Sequence, residues 1–110
     1  MPSIEFEVFG KVQKVFFRKF TKIEAEKLGI SGWCENTETG SVRGVIQSGN
    51  LKSLNDMKRW LSTVGSPKCQ IEKSTFKEVV TPSENYTFFE IRKFPVLNFR
   101  KKWQGRRQKK

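Results

Sequence analysis

Val8-Phe9-Gly10-Lys11-Val12-Gln13-Lys14-Val15-Phe16-Phe17-Arg18 is the stretch on which the reading of this chain turns. It closes an alternating strand over Ile4 to Phe9, with Ile4, Phe6 and Val8 on one face and Glu5 and Glu7 on the other. A period of two with one apolar face marks a half-buried strand. Gly10 breaks the alternation, and residues 10–16 read as a loop. Helical spacing then takes over from Phe17 to Leu28, with Phe17, Phe20 and Leu28 close to one face and Gly29 as the stop. Thr21-Lys22-Ile23-Glu24 has the form of a capping box that would start the helix four residues later. The earlier start is preferred, because it pins Phe17 in the core beside Arg18. Strand, short loop, arginine and helix start form an arrangement suited to an anion. First-turn N–H groups point at such a ligand and a guanidinium closes over it. A cation at the positive end of a helix dipole is otherwise unfavourably placed.

Working outward, Ile30 to Glu35 reads as a second strand, Asn36 to Gly40 as a turn and Ser41 to Gln47 as the returning strand of a hairpin. A second helix is expected from Leu51 to Val64, capped by Asn50 or one of its neighbours, with Leu54, Met57, Trp60, Leu61 and Val64 on one face. Gly65 and Pro67 end it. Gln70 to Glu78 is a polar strand suited to a sheet edge, residues 81–85 are a loop, and Tyr86 to Lys93 is a last strand with Phe89 and Ile91 inward. The order βαββαβ plus one short strand predicts an α+β, ferredoxin-like sandwich, an antiparallel sheet with two helices on one face.

With 110 residues the chain is long enough for one core of its own, and ten Phe make that core aromatic-rich. The formal charge is +11, but seven of the 22 bases and none of the 11 acids lie in residues 100–110. Residues 1–99 therefore hold 15 bases against those 11 acids, a formal +4, so the basic excess belongs mostly to the end of the chain. Phe99 to Lys110 suits contact with a polyanion, against the plainer reading of a solvated terminus. No run of apolar residues is long enough for a membrane span, and the first twenty residues lack the apolar region of a secretory signal. Cys34 and Cys69 show no metal-ligand spacing and read as two buried small apolar residues in a reduced cytosol. The chain has no histidine, and Asp56 is its sole aspartate. A histidine base or a carboxylate-held magnesium is thus not expected. The expected cofactor set is none and the expected metal set is none. RNA binding through the sheet is disfavoured, since Ser41 to Gln47 carries no aromatic side chain.

A second segment, Gly32-Trp33-Cys34-Glu35-Asn36-Thr37-Glu38-Thr39-Gly40-Ser41-Val42, places an amide side chain at the end of a strand. On these two segments the chain resembles the acylphosphatase family, whose pattern runs V-x-G-x-V-Q-G-V-x-F-R and then, after an interval, an Asn before a hairpin. Val8, Gly10, Val12, Gln13, Val15, Phe17, Arg18 and Asn36 fit it, as do Gly32-Trp33 and Gly40-Ser41-Val42. The similarity runs from about Ile4 to Phe94. It implies hydrolysis of the carboxyl-phosphate bond of acyl phosphates, with Arg18 and Asn36 catalytic, Asn36 orienting the attacking water. The phosphate-binding set it implies is Gly10, Val12, Gln13, Lys14, Val15, Phe16, Phe17 and Arg18. Lys14 stands where the family has glycine, so weakened activity is expected. The alternative is a non-enzymatic anion- or nucleic-acid-binding module that retains the fold. Residues 1–95 are expected as the acylphosphatase-like domain and 96–110 as a flexible basic tail. Expected partners are a small-molecule acyl phosphate, with inorganic phosphate or sulfate as competitive anions, acting on a cytoplasmic monomer. The basic tail leaves passage into the nucleus open.

Overall fold

The computed structural model describes residues 2–79 and 85–92. Most of the expected loop over 81–85, Lys93 at the end of the last expected strand, and the tail over 96–110 lie outside the described residues. The elements are β1 (Ser3–Lys11), α1 (Phe17–Lys27), β2 (Ser31–Asn36), β3 (Val42–Gln47), α2 (Leu51–Arg59), a π-helical turn (Trp60–Val64), β4 (Gln70–Val79) and β5 (Phe89–Ile91). They form one five-stranded sheet in the order β4-β1-β3-β2-β5.

The alternation read in β1 sets the register. Phe6 lies opposite Gly44 of β3 and Phe76 of β4, and Val8 opposite Val42 and Ser74. Ile4, Phe6 and Val8 are buried in the same cluster as Phe17 and Ala25 of α1 and Leu54 and Met57 of α2. Both helices therefore cover one face of the sheet, and that layer holds the core. Gly44 is needed where it is, because a Cβ there would stand 2.9 Å from the Phe6 ring and press on the Trp33 carbonyl.

The sheet departs from the expected antiparallel form at one edge: β5 pairs parallel with β2, Gly32 opposite Phe89 and Cys34 opposite Ile91. The directions of the other strands force this. β4 and β3 both run antiparallel to β1, and β2 runs antiparallel to β3. β4 finishes at the end of the sheet where β1 and β2 begin, so a last strand starting from that end must run alongside β2.

Three smaller departures have local causes. On α1 the buried residues are Phe17, Thr21 and Ala25, a stripe at i, i+4 and i+8 that hydropathy hides. Thr21 is no cap: its hydroxyl donates to the Phe17 carbonyl at 2.7 Å, so the earlier helix start holds. The second helix reaches Val64 as expected, but its last five residues widen into a π turn closed by the Gly65 amide on the Trp60 carbonyl at 3.0 Å. Ser62 and Thr63 bond back to the carbonyls of Lys58 and Arg59 there, competing for the helical acceptors. The extra residue rotates Val64 away from the core and leaves it 60% exposed, against its expected inward position. Trp60 keeps its place, its ring 5.6 Å from that of Phe17. Of the candidate caps, Asn50 is the one that closes α2, accepting from the Lys52 and Ser53 amides at 2.9 and 3.2 Å. Cys34 is buried as expected, but Cys69 is only half-buried, and both are free thiols.

β1 also runs past Phe9 to Lys11, with a bulge between Phe9 and Gly10 where its register on β4 shifts. Gly10 has φ +127°, and a Cβ on it would collide with the Gln70 carbonyl and lie 2.8 Å from the Glu72 amide. Both facts demand glycine, and the bulge aims the following loop toward the start of α1. Replacing Gly10 by Ala is expected to cost about 2–3 kcal/mol, since the strain and the backbone clash cannot both be relieved by a side-chain movement. Urea unfolding measures this. An unchanged midpoint and slope would mean that the β1–β4 bulge opens without penalty.

Candidate active site

The loop between β1 and α1 curls because two of its non-glycine residues take left-handed backbone angles, Lys14 at φ 63° and Phe16 at φ 59°. Left-handed residues interleaved with ordinary ones turn successive N–H groups toward one concave side. Phe16 is also the N-cap of α1, and no side chain caps the helix nor does an acid stand in its first turn. The first-turn amides of α1 have no intrahelical acceptor and meet no local carboxylate.

The loop is fastened from outside. The Gln13 side-chain amide donates to the carbonyls of Thr37 and Ser41 at 2.9 and 2.8 Å. Within that hairpin the Thr37 hydroxyl pairs with the Ser41 hydroxyl at 2.7 Å and accepts from the Ser41 amide at 3.2 Å. Ser41 in turn donates to the Glu7 carboxylate of β1 at 2.5 Å. Thr37 and Ser41 hold the turn, and Gln13 ties the loop to the strand end that carries Asn36.

Arg18 lies in the first turn of α1, and its Nη1 donates to the Arg92 carbonyl at 3.2 Å. Arg92 follows β5; its amide donates to the Cys34 carbonyl at 2.8 Å and its guanidinium stacks 4.2 Å from the Trp33 ring centre. Asn36 is the last residue of β2, and its Oδ1 is buried without a hydrogen-bond partner. A buried acceptor left in this state calls for an explanation. Arg18 and Asn36 share a cleft of ≈ 270 Å³ with Val12, Lys14, Phe16, Phe17, Lys19 and Ile91. Three of these eight residues are cations and none is an acid, which makes the cleft a place for anions.

The fold thus brings Arg18 and Asn36 together across an interval of 18 positions, and with them Val12, Lys14, Phe16 and Phe17 of the expected phosphate-binding set. Gly10, Gln13 and Val15 do not line the cleft. Gly10 sits in the β1 bulge, Gln13 bonds to the hairpin, and Val15 packs against the core. Sequence reasoning missed Lys19, Ile91 and the Arg92 carbonyl. Lys19 adjoins Arg18 and carries no pattern of its own. Ile91 and Arg92 reach the site only because β5 lies beside β2, a pairing that hydropathy does not encode. Among the described residues, no group of three His, Cys, Asp or Glu side chains is placed to hold a metal ion.

Fold and cleft together define an α+β sandwich with a cation-lined cleft beside the start of α1. The family model for acylphosphatase matches residues 4–91. Acylphosphatase-1 of Mus musculus is 46% identical over 90 residues, covering 81% of this chain and 90% of that protein. Acylphosphatase-2 of Bos taurus is 45% identical over 93 residues, covering 84% of this chain and 93% of that protein. The solved structure of an acylphosphatase from Coxiella burnetii superposes with a TM-score of 0.74 at 34% identity, over 82% of this chain and 90% of that one. The chain belongs to the acylphosphatase family, a family of hydrolases. Among the described residues no helix is long and apolar enough to cross a membrane.

Cys34 lies beneath the cleft, its thiol 3.9 Å from the Arg18 carbonyl. Burial, only partly offset by the nearby Arg18 and Lys22 charges, pushes its pKa from 9.0 up to about 12. The folded state therefore favours the neutral thiol: its contribution to stability is complete below pH 9.0 and is lost as pH rises toward about 12. At pH 8 a chromogenic disulfide reagent should label Cys69 in the native protein and reach Cys34 only at the rate of unfolding. Two thiols reacting equally fast would show that β2 opens without global unfolding.

Proposed function

We propose that the protein hydrolyses acyl phosphates to a carboxylate and inorganic phosphate, with Arg18 and Asn36 as its catalytic residues. The observation that carries this is the buried, unpartnered Asn36 Oδ1, set in one cleft with the Arg18 guanidinium and the uncapped start of α1. In this reading the phosphoryl oxygens lie against the loop and first-turn amides from Val12 to Arg18, and the Arg18 guanidinium binds them in a planar fork. Its contact with the Arg92 carbonyl fixes the fork before substrate arrives. Asn36 Oδ1 accepts a hydrogen from a water and aims its oxygen at phosphorus, opposite the leaving carboxylate.

Water oxygen bonds to phosphorus as the bond from phosphorus to the acyl oxygen breaks, and the carboxylate leaves with the electron pair. The proton passes to a phosphoryl oxygen, because the chain has no histidine to take it. Such a reaction asks the protein mainly for position and charge stabilisation, which fixed amides and one guanidinium can supply. The substrate class also fits the surplus of cations in the cleft. Inorganic phosphate and sulfate, with the same oxygens, would compete for the cradle. Residues 1–95 would form the catalytic domain, with 96–110 outside the machinery and able to meet a polyanion through its charge.

Two substitutions test this reading. Arg18→Ala should leave the fold intact and lower kcat/KM for benzoyl phosphate at least ~100-fold, the loss of a charge-assisted contact of ~2–3 kcal/mol. Hydrolysis should be indifferent to a chelator. Near-normal turnover by folded Arg18→Ala would remove the mechanism.

Lys14→Gly should act in the opposite direction. A side chain at a left-handed residue costs roughly 1–2 kcal/mol, and its Cβ crowds amides that must approach phosphate closely. Relieving both should raise kcat/KM for benzoyl phosphate about three- to tenfold. A fall in efficiency with this substrate would mean that the lysine grips the phosphoryl group itself.

A further inference from the structure

Lys14 is strained where glycine would not be, and a strained residue persists when the surrounding structure holds it for a use. Its neighbours at the cleft suggest which. Phe16, the second left-handed residue, lines the cleft while its side chain is 71% exposed. The Lys19 ammonium stands 5.8 Å from the centre of that ring. Among the described residues, neither Lys14 nor Lys19 joins the ion pairs that neutralise Lys22, Lys27, Lys52 and Arg59 on the helix surfaces. Ile91 adds an apolar wall. Once a phosphoryl group occupies the amides and Arg18, the rest of an acyl phosphate must leave the cradle past these side chains.

We propose that Phe16 and Ile91 form an acyl-group subsite, and that Lys14 and Lys19 at its rim select acyl phosphates whose acyl group carries a second anionic group, carboxylate or phosphate. The inference rests on the hydrolytic reading above and deepens it: the cradle takes the reacting phosphoryl group, and the rim reads the far end of the substrate. Lys14 then trades some turnover on plain acyl groups for preference toward charged ones. The aromatic face of Phe16 carries the acyl body and keeps water off one side of the Lys19 ammonium.

The test compares benzoyl phosphate, para-carboxybenzoyl phosphate and para-phosphonobenzoyl phosphate on the full-length protein, each rate divided by that of spontaneous hydrolysis. The carboxylate should raise kcat/KM about fivefold over benzoyl phosphate, as two solvent-facing ion contacts permit. The phosphonate, with more charge, should raise it further, and both preferences should shrink in ~0.5 M salt as screening shortens the reach of the lysines. In Lys14→Gln/Lys19→Gln, which keeps side chains of similar length, both ratios should fall to about one. This comparison is internal to each variant, so a general loss of activity does not obscure it. Wild-type protein that hydrolyses benzoyl phosphate without favouring the charged analogues overturns the selectivity and leaves the acylphosphatase reading standing. A preference that survives in the double variant overturns the assignment to these lysines. Failure to hydrolyse any of the three overturns both readings together.

Discussion

The burial of Phe17 is the constraint from which the site follows. Its side chain is 1% exposed, wedged against Trp60 at the start of the π turn, and a Cβ on Gly65 would come within 3.0 Å of its ring. Burying a Phe so fully is worth about 1.5–3 kcal/mol. It fixes the first turn of α1 in rotation as well as in position. Successive helical residues differ by about 100° around the axis, so with Phe17 turned into the core Arg18 must turn toward the cleft. Moving the helix start by one residue would send the arginine into the core or the phenylalanine into solvent. The π turn begins at Trp60, whose own amide still bonds back to the carbonyls of Asp56 and Met57, so the widening falls beyond the residue that meets that ring.

Around this anchor the site is assembled from groups that are cheap individually and exacting together. Gln13 spends both of its donors on the hairpin carbonyls, and Glu7 accepts from Ser41 on the same hairpin. β5 contributes three residues of strand, yet its exit places the carbonyl that holds Arg18. That exit is itself secured on the open side of the sheet, where Arg92 stacks on Trp33 and the Trp33 indole donates to the Tyr86 hydroxyl at 3.2 Å. The guanidinium in the cleft is thus oriented by residues lying on the opposite face of the sheet.

Much of this was legible in the chain. The period-two run over Ile4, Phe6 and Val8, the Gly29 stop and the Asn50 cap are local signals, and the structure follows them. The pairing of Arg18 with Asn36 was legible through two separated motifs. What escaped was non-local or masked by chemistry. The buried stripe of α1 includes Thr21 and Ala25, which hydropathy ranks low, while Phe20, ranked high, is only half-buried. The parallel edge depends on strand directions that come clear only once the whole sheet is laid out. The π turn arises from hydroxyls of Ser62 and Thr63 seeking carbonyls, inside a stretch whose hydrophobic spacing is that of an ordinary helix.

The outer strand β4 has a bearing on survival rather than catalysis. It runs ten residues along the rim of the sheet, and among the described residues one side of its backbone pairs with no strand, the geometry that invites a second molecule to add one. Glu72, Lys73, Lys77 and Glu78 are all exposed along β4, Lys73 and Lys77 on the open face and Glu78 on the other, and Lys73 lies 5.8 Å from the Phe9 ring, over an aromatic surface that would otherwise attract a neighbour. An arriving strand would have to bury those charges without partners. The polar character of β4 therefore guards the folded chain against fibril growth, and a variant that neutralised it could keep every group of the cleft in place while losing the protein to insolubility.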